Sequence, residues 1–456
     1  MKRLFPALLF LALSASAQTP LELPPASERG DVLLRGGTVH TVVGDALENT
    51  DVLVRDGRIE RIGTGLEAPR GVTVVDVTGR HVTPGIIDAH SHIALSSVNE
   101  ASNPIVAEVQ MRDAVDPSDI GIYRALAGGV TSIHVMHGSA NPVGGENETL
   151  KLRWGTLDPD GLLFEDAPRT IKFALGENPT RVHGRGRGVR PSTRMGIEQV
   201  YREAFTEALE YRAAQTDALE AGDPLPPIDR RMETLVGILE GDVLVHCHSY
   251  RADEILMLME VFQDFGIERL TFQHANEAFK VAPELAAFGA GASVFSDWAN
   301  YKFEVYYSTA HNAAILTRNG VRTSINSDDA GLLRYLYHEA AKTQRYGGLD
   351  DRDALATVTI NPAHQLGIDD RVGTLEVGKD ADIAVFSDHP LSIYTRVDMT
   401  FVDGVARFDR MRDGDDQRLF VDPEEEIVML GGDHSHSCML GTDLDALMLG
   451  ELSHSH

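Results

Sequence analysis

Between Ile86 and Asp328 the chain repeats one rhythm, in which short apolar runs are separated by stretches of helical periodicity. The runs are Ile86-Ile87, Val130 to Val135, Thr170 to Leu175, Val243 to His246, Leu270 to His274, Ala292 to Phe295 and Thr323 to Asn326. The helical patterns are clearest from Gly196 to Leu219 and from Arg230 to Leu239. Strands alternating with helices predict parallel βαβ units. The stretch from His90 to Asp328 is close to the ~250 residues that an eightfold (β/α) barrel occupies. Seven strands are legible, and the eighth, third in order, falls loosely near Glu148 to Trp154.

The flanks have a different period. From Asp31 to Val82, β-branched pieces such as Val32-Leu33-Leu34, Thr38 to Val42, Asp51 to Val54 and Arg58 to Ile62 are broken by Gly36-Gly37, Gly44-Asp45 and Asp56-Gly57. That pattern predicts antiparallel hairpins. A second set, Asp382 to Phe386 and Val397 to Val402 with the turn Asp403-Gly404, lies far downstream. Both ends of the chain are therefore expected to build one small β unit. The division expected is a signal over 1–17, sandwich strands in 18–82 and 371–412, the barrel over 83–370 and an acidic, histidine-containing tail over 413–456.

Charge narrows the partners. Against 41 Lys and Arg stand 69 Asp and Glu, a formal −28, which argues against a surface that neutralises nucleic-acid or lipid phosphates. Cys247 and Cys438 are the two cysteines, too few for a disulfide scaffold or a thiolate-built metal cluster. Lys2 and Arg3, an apolar run from Leu4 to Leu13 and Ala15-Ser16-Ala17 read as an export signal cleaved before Gln18. A periplasmic or secreted protein is expected, and loss of the two basic residues takes the charge from −28 to −30. No later apolar stretch is long enough for a membrane span.

The expected strand ends carry polar residues. His90 and His92 are two apart, so both imidazoles can point to one spot above the barrel. His246 and His274 end later strands, and Asp328 follows the last. Barrel chemistry occurs at that rim. Imidazole nitrogen with carboxylate oxygen suits zinc, manganese, iron or nickel. Lys172 stands inside an apolar strand, where an ammonium is costly. It reads either as a snorkelling lysine or as a carbamate formed with CO2 that bridges two metals. Glu177, in Gly176-Glu177-Asn178-Pro179, is the competing carboxylate.

Taken together, Pro84-Gly85-Ile86-Ile87-Asp88-Ala89-His90-Ser91-His92, His246, His274, Ser327-Asp328 and the stretch Asn361-Pro362-Ala363-His364 to Lys379-Asp380-Ala381-Asp382 resemble the amidohydrolase superfamily. Within it the chain is similar to the imidazolonepropionase-like and Xaa-Pro or Xaa-Arg dipeptidase-like branch. The resemblance implies a distorted (β/α)8 barrel with a β-sandwich from both chain ends. It implies one or two divalent metal ions, zinc foremost, with His90 and His92 on the first, His246 and His274 on the second and Asp328 shared between metal binding and proton transfer. Lys172 matches the carbamylated lysine by its place in the fourth strand. Gly176-Glu177-Asn178 departs from the Gly-Gly turn expected in the dipeptidases. His248 shares a strand face with His246, and His246 is preferred because its position fits the family pattern.

The activity implied is hydrolysis of a C–N bond in a small molecule, dipeptide or cyclic amide, with Asp328 as general base and acid. A deaminase of the same superfamily and a non-catalytic periplasmic binding protein are the alternatives, and a homo-oligomer is left open. Arg181, Arg185, Arg187 and Arg190 form either a clamp for a substrate carboxylate or a solvated loop. Trp298, Tyr301 and Tyr306 are candidates to line a pocket. His434, His436, His454 and His456 in the tail read as a mobile segment or a metal-capturing tract.

Overall fold

In the computed structural model, residues 25, 28–299 and 301–413 are described. The expected export signal, Cys438 and the histidine-bearing tail lie outside them.

The N-terminal flank forms β1 (Val32–Val39), β2 (Leu47–Arg55), β3 (Arg58–Gly63), β4 (Thr73–Asp76) and β5 (His81–Pro84). The barrel strands are β6 (Ile86–Ser91), β7 (Val130–Val135), β8 (Val143–Lys151), β9 (Arg169–Ala174), β10 (Val243–Ser249), β11 (Leu270–His274), β12 (Gly291–Val294) and β13 (Thr323–Ile325). The C-terminal flank adds β14 (Ile383–Phe386), β15 (Val397–Val402) and β16 (Val405–Asp409). One sheet runs β16-β15-β14-β5-β1-β2-β3 with β4 beside β1, so the two ends of the chain share it. β5 meets β14 antiparallel, Ile383 opposite Pro84.

The second sheet runs β6 to β13 in chain order, a nearly closed barrel. Its strands are buried on both faces, which is why they read as continuous apolar runs rather than alternating ones. The seam between first and last strands is bridged by Thr357-Val358, which accept from the N–H groups of Ile325 and Ile87. Higher up, Asp328 N–H donates to His90 O at 3.1 Å. The turn from sheet to barrel passes through Gly85, where any Cβ would stand 2.1 Å from Thr131 Oγ1. The helix Arg194–Ala221 is capped by the Thr193 hydroxyl and ends at left-handed Gly222.

The structure corrects one expectation. β8 runs antiparallel to both β7 and β9, so the third barrel unit is a meander rather than a βαβ crossover. Its polar residues are satisfied within the wall, as Glu146 takes Arg169 and Thr234, and Asn147 binds Thr170 and the His137 N–H.

The reversal brings the C-terminal end of β8 to the small sheet. There Lys151, fully buried, lies 2.8 Å from Asp380, 3.2 Å from Asp382 and 2.6 Å from Asp403. Arg153 also holds Asp403 and Arg371 holds Asp380. Burial works against the Lys151 charge, but the three carboxylates outweigh it and hold the ammonium above its ordinary pKa.

Candidate metal centre

His90 lies next to the last residue of the fully buried β6, and His92 lies just beyond the strand, their ring centroids 5.1 Å apart. Asp328 Oδ1 is 3.1 Å from His92 Nε2 and 3.4 Å from His90 Nε2, and Oδ2 is 3.6 Å from His274 Nε2. His90, His274 and Asp328 offer ligand atoms all within 4.8 Å of one another. The backbone is bent to achieve this. His274 and Asp328 have φ of +66° and +47°, a region costly for residues with a Cβ and often reserved for functional positions.

The protons can be traced. Lys172, fully buried on β9, puts Nζ 3.1 Å from His90 Nε2. An ammonium only donates, so His90 Nε2 accepts and its proton sits on Nδ1. That N–H meets Gln273 Oε1 at 3.1 Å, which leaves the Gln273 amide NH2 to donate to His246 Nδ1 at 3.0 Å. His246 consequently carries its own proton on Nε2. His92 Nδ1 lies 3.0 Å from Met136 O and must donate there, which turns an accepting Nε2 toward Asp328. A second-sphere carbonyl fixing the tautomer in this way is characteristic of metal-binding histidine.

Burial, then the Lys172 charge, depresses His90 well below the ordinary histidine range. Burial lowers His274 to about 3. Burial alone would raise Asp328, but the pull of His274 and His92 in their protonated forms, together with Lys172, outweighs it and holds the carboxyl below its usual value, and with the imidazoles neutral Lys172 is the cation that remains. Neutral imidazoles around an anionic carboxylate are the forms that bind a cation. Among the described residues neither ring nitrogen of His274 finds a hydrogen-bond partner. The donor set therefore fits a divalent ion.

His246 does not join this group. It stands in register with Lys172, whose long chain reaches the rim while the shorter imidazole stays below, packed 4.6 Å from His134. His248, one layer higher on the same face, has its ring 4.7 Å from that of His274 and its Nε2 3.5 Å from Asn178 Nδ2. Neither His246 nor His248 is in the group that closes around Asp328, and His248 is the one whose ring meets that of His274. Glu177 is also elsewhere. Its carboxylate lies 3.9 Å from Arg181 and 3.8 Å from Lys302, on the turn after β9, and it is outside the group that closes around Asp328.

Among the arginines of the loop, Arg185, Arg187 and Arg190 are exposed, with Arg187 bound to Ser102 O and Arg190 to Glu203. Phe295 stacks on His274 at 5.0 Å and carries Trp298 at 5.2 Å, with Tyr301 6.4 Å from both Trp298 and Tyr250. These rings wall the centre. Tyr306 is exposed and packs on Phe303 and Tyr307 instead. Sequence reasoning passed over Gln273 and Lys302. The latter holds Nζ 4.2 Å from the Tyr250 ring and 3.1 Å from Asn178 Oδ1.

Fold and rim together define a (β/α)8-type barrel whose rim carries a buried His90, His274 and Asp328 group able to hold a metal ion. The amidohydrolase family model matches residues 303–407. The solved structure of an amidohydrolase from Thermotoga maritima MSB8 is 36% identical, and the match covers 83% of this chain and all of that one at a TM-score of 0.78. Amidohydrolase tasK of Hapsidospora irregularis is 34% identical over 392 residues, 79% of this chain, and the match spans 40% of that relative's length. A 5-methylthioadenosine/S-adenosylhomocysteine deaminase of Symbiobacterium thermophilum is 24% identical over 77% of this chain and 84% of its own. The chain belongs to the amidohydrolase family.

Proposed function

We propose that the protein is a metal-dependent hydrolase that cleaves a C–N bond of a small molecule, dipeptide or cyclic amide. The observation that carries this reading is Asp328, a buried carboxylate held anionic with three accepting or unbonded imidazole nitrogens within 3.6 Å. His90, His92, His274 and Asp328 would hold the ion, zinc foremost, with His248 and Lys172 completing a second position. Such an ion supplies Lewis acidity to the scissile carbonyl and lowers the pKa of water.

The chain's own residues do the rest. Asp328 is placed to take the proton of the attacking water and hand it to the departing nitrogen. Phe295, Trp298, Tyr250 and Tyr301 exclude bulk water on one side. Lys172, surrounded by imidazoles, would lose its cationic character on forming a carbamate with CO2, a step in which the ammonium gives up two protons to the solvent as the N–C bond forms. The first seventeen residues are read as an export signal, so the site would work outside the cytoplasm.

The test is Asp328→Asn with metal analysis and a panel of dipeptides, cyclic amides and aminopurine nucleosides. Turnover falls by at least a thousandfold if Asp328 moves the proton, and hydrolysis at the wild-type rate refutes the assignment. Turnover of the nucleosides alone would place the enzyme with the deaminases.

A further inference from the structure

Away from the barrel rim, three histidines from distant parts of the chain meet at the small sheet. His40 follows β1, His81 opens β5 and His389 follows β14. Their ring centroids form a triangle with sides of 5.1, 5.3 and 5.5 Å. Three imidazoles bound to one tetrahedral ion at metal–nitrogen distances of 2.0–2.1 Å have their centroids about 5.2 Å apart. The ring centroids thus have the spacing of a ligand set, comparable to the 4.7 and 5.1 Å found at the rim, although the nitrogens do not yet converge as those at the rim do. His40 Nε2 and His81 Nδ1 share a hydrogen bond of 2.8 Å, so one ring donates and the other accepts through a free lone pair. On the open side Asp351 Oδ2 lies 3.2 Å from His389 Nε2.

The surroundings select for a cation. Among the described residues, the adjoining cavity of roughly 700 Å³ is lined by Asp45, Glu48, Asp350 and Asp351 against one cation, Arg352. Burial, then the neighbouring histidines, lowers His40 to about 4, which keeps lone pairs available at neutral pH. We propose that His40, His81, His389 and Asp351 form a second metal site, separate from the rim, for a tetrahedral divalent ion of the zinc class. Three imidazoles with one carboxylate leave no open position, as in a structural site. Bound there, an ion would tie β1, β5 and the segment after β14 to the start of the helix Asp351–Ala356. His40 and His81 would turn to exchange their shared hydrogen bond for metal bonds, a rotation that leaves the ring centroids in place.

The experiment is zinc titration of the chelator-stripped full-length protein, followed by elemental analysis after gel filtration. Wild type is compared with His389→Asn, whose half-exposed ring tolerates replacement, and with the double variant His81→Asn/His389→Asn. The C-terminal histidines are common to all three proteins and cancel. Wild type should hold one more equivalent of zinc than the double variant, with His389→Asn binding that equivalent at least tenfold more weakly. In the cobalt-substituted proteins, the same equivalent should give a tetrahedral visible spectrum that the variants lack. Equal stoichiometry and equal affinity in wild type and His389→Asn would overturn the proposal, even if the double variant fails to fold.

Discussion

Replacing Lys151 by Met removes the cation at the joint between barrel and small sheet while preserving most of its volume. Truncating one partner of a buried ion pair costs about 3–5 kcal/mol, because the charge left behind cannot be solvated. Here the three carboxylates do not suffer equally. Asp403 keeps Arg153 and Asp380 keeps Arg371, both within 2.7 Å. Asp382 has Lys151 as its near cation, and burial already holds it above the ordinary carboxyl range. The loss therefore falls chiefly on Asp382, which sets the expected cost near 3 kcal/mol. Without Lys151 that carboxyl rises further. A carboxyl raised in the folded state keeps a proton the unfolded chain has lost, so its penalty grows as pH rises, by at most about 1.4 kcal/mol per unit. Urea unfolding of Lys151→Met at pH 6 and pH 8 should show a loss of about 3 kcal/mol that is larger at pH 8. A difference from wild type below about 1 kcal/mol at both values would refute the reasoning.

Gln273→Leu should weaken metal binding by about 10–100-fold in chelator competition, because the His90 N–H loses the acceptor that fixes its tautomer, and Gln273→Glu should restore part of it. His248→Asn should release metal more readily than His246→Asn, as followed by equilibrium dialysis, since the deeper ring presents a proton at Nε2. Burial, reinforced by Glu304, lifts Glu254 to about 7 despite Arg194. Its folded form holds a proton the unfolded chain loses near pH 4.5, so the stability it contributes is lost as pH climbs from about 4.5 to 7, up to about 3 kcal/mol. Glu254→Gln should flatten that part of the stability profile measured by urea unfolding.

The parallel strands were legible because burial on both faces makes them apolar throughout. β8 was not, because its Glu146, Asn147 and Thr149 are buried through partners on neighbouring strands that no local pattern reveals. Sequence parity correctly put His246 and His248 on one face, but parity carries no depth, and the choice between them depends on the length of Lys172 and on Gln273 from the next strand. The His40, His81 and His389 cluster was illegible for a related reason. Each residue is unremarkable in its own segment, and only the pairing of β5 with β1 and β14 brings them together.

The reversed strand also bears on how the barrel forms. Parallel neighbours must be joined by crossovers of a dozen or more residues, whereas antiparallel ones can be joined by short loops. β7 reaches β8 through 136–142, and β8 reaches β9 through 152–168. Among the barrel pairs, β7 and β8 make the most local contacts along the chain, with Val135 opposite Glu148 and Ser132 opposite Lys151. Closing that hairpin costs less chain entropy than any other pairing in the barrel, so it is the natural place for assembly of the wall to begin.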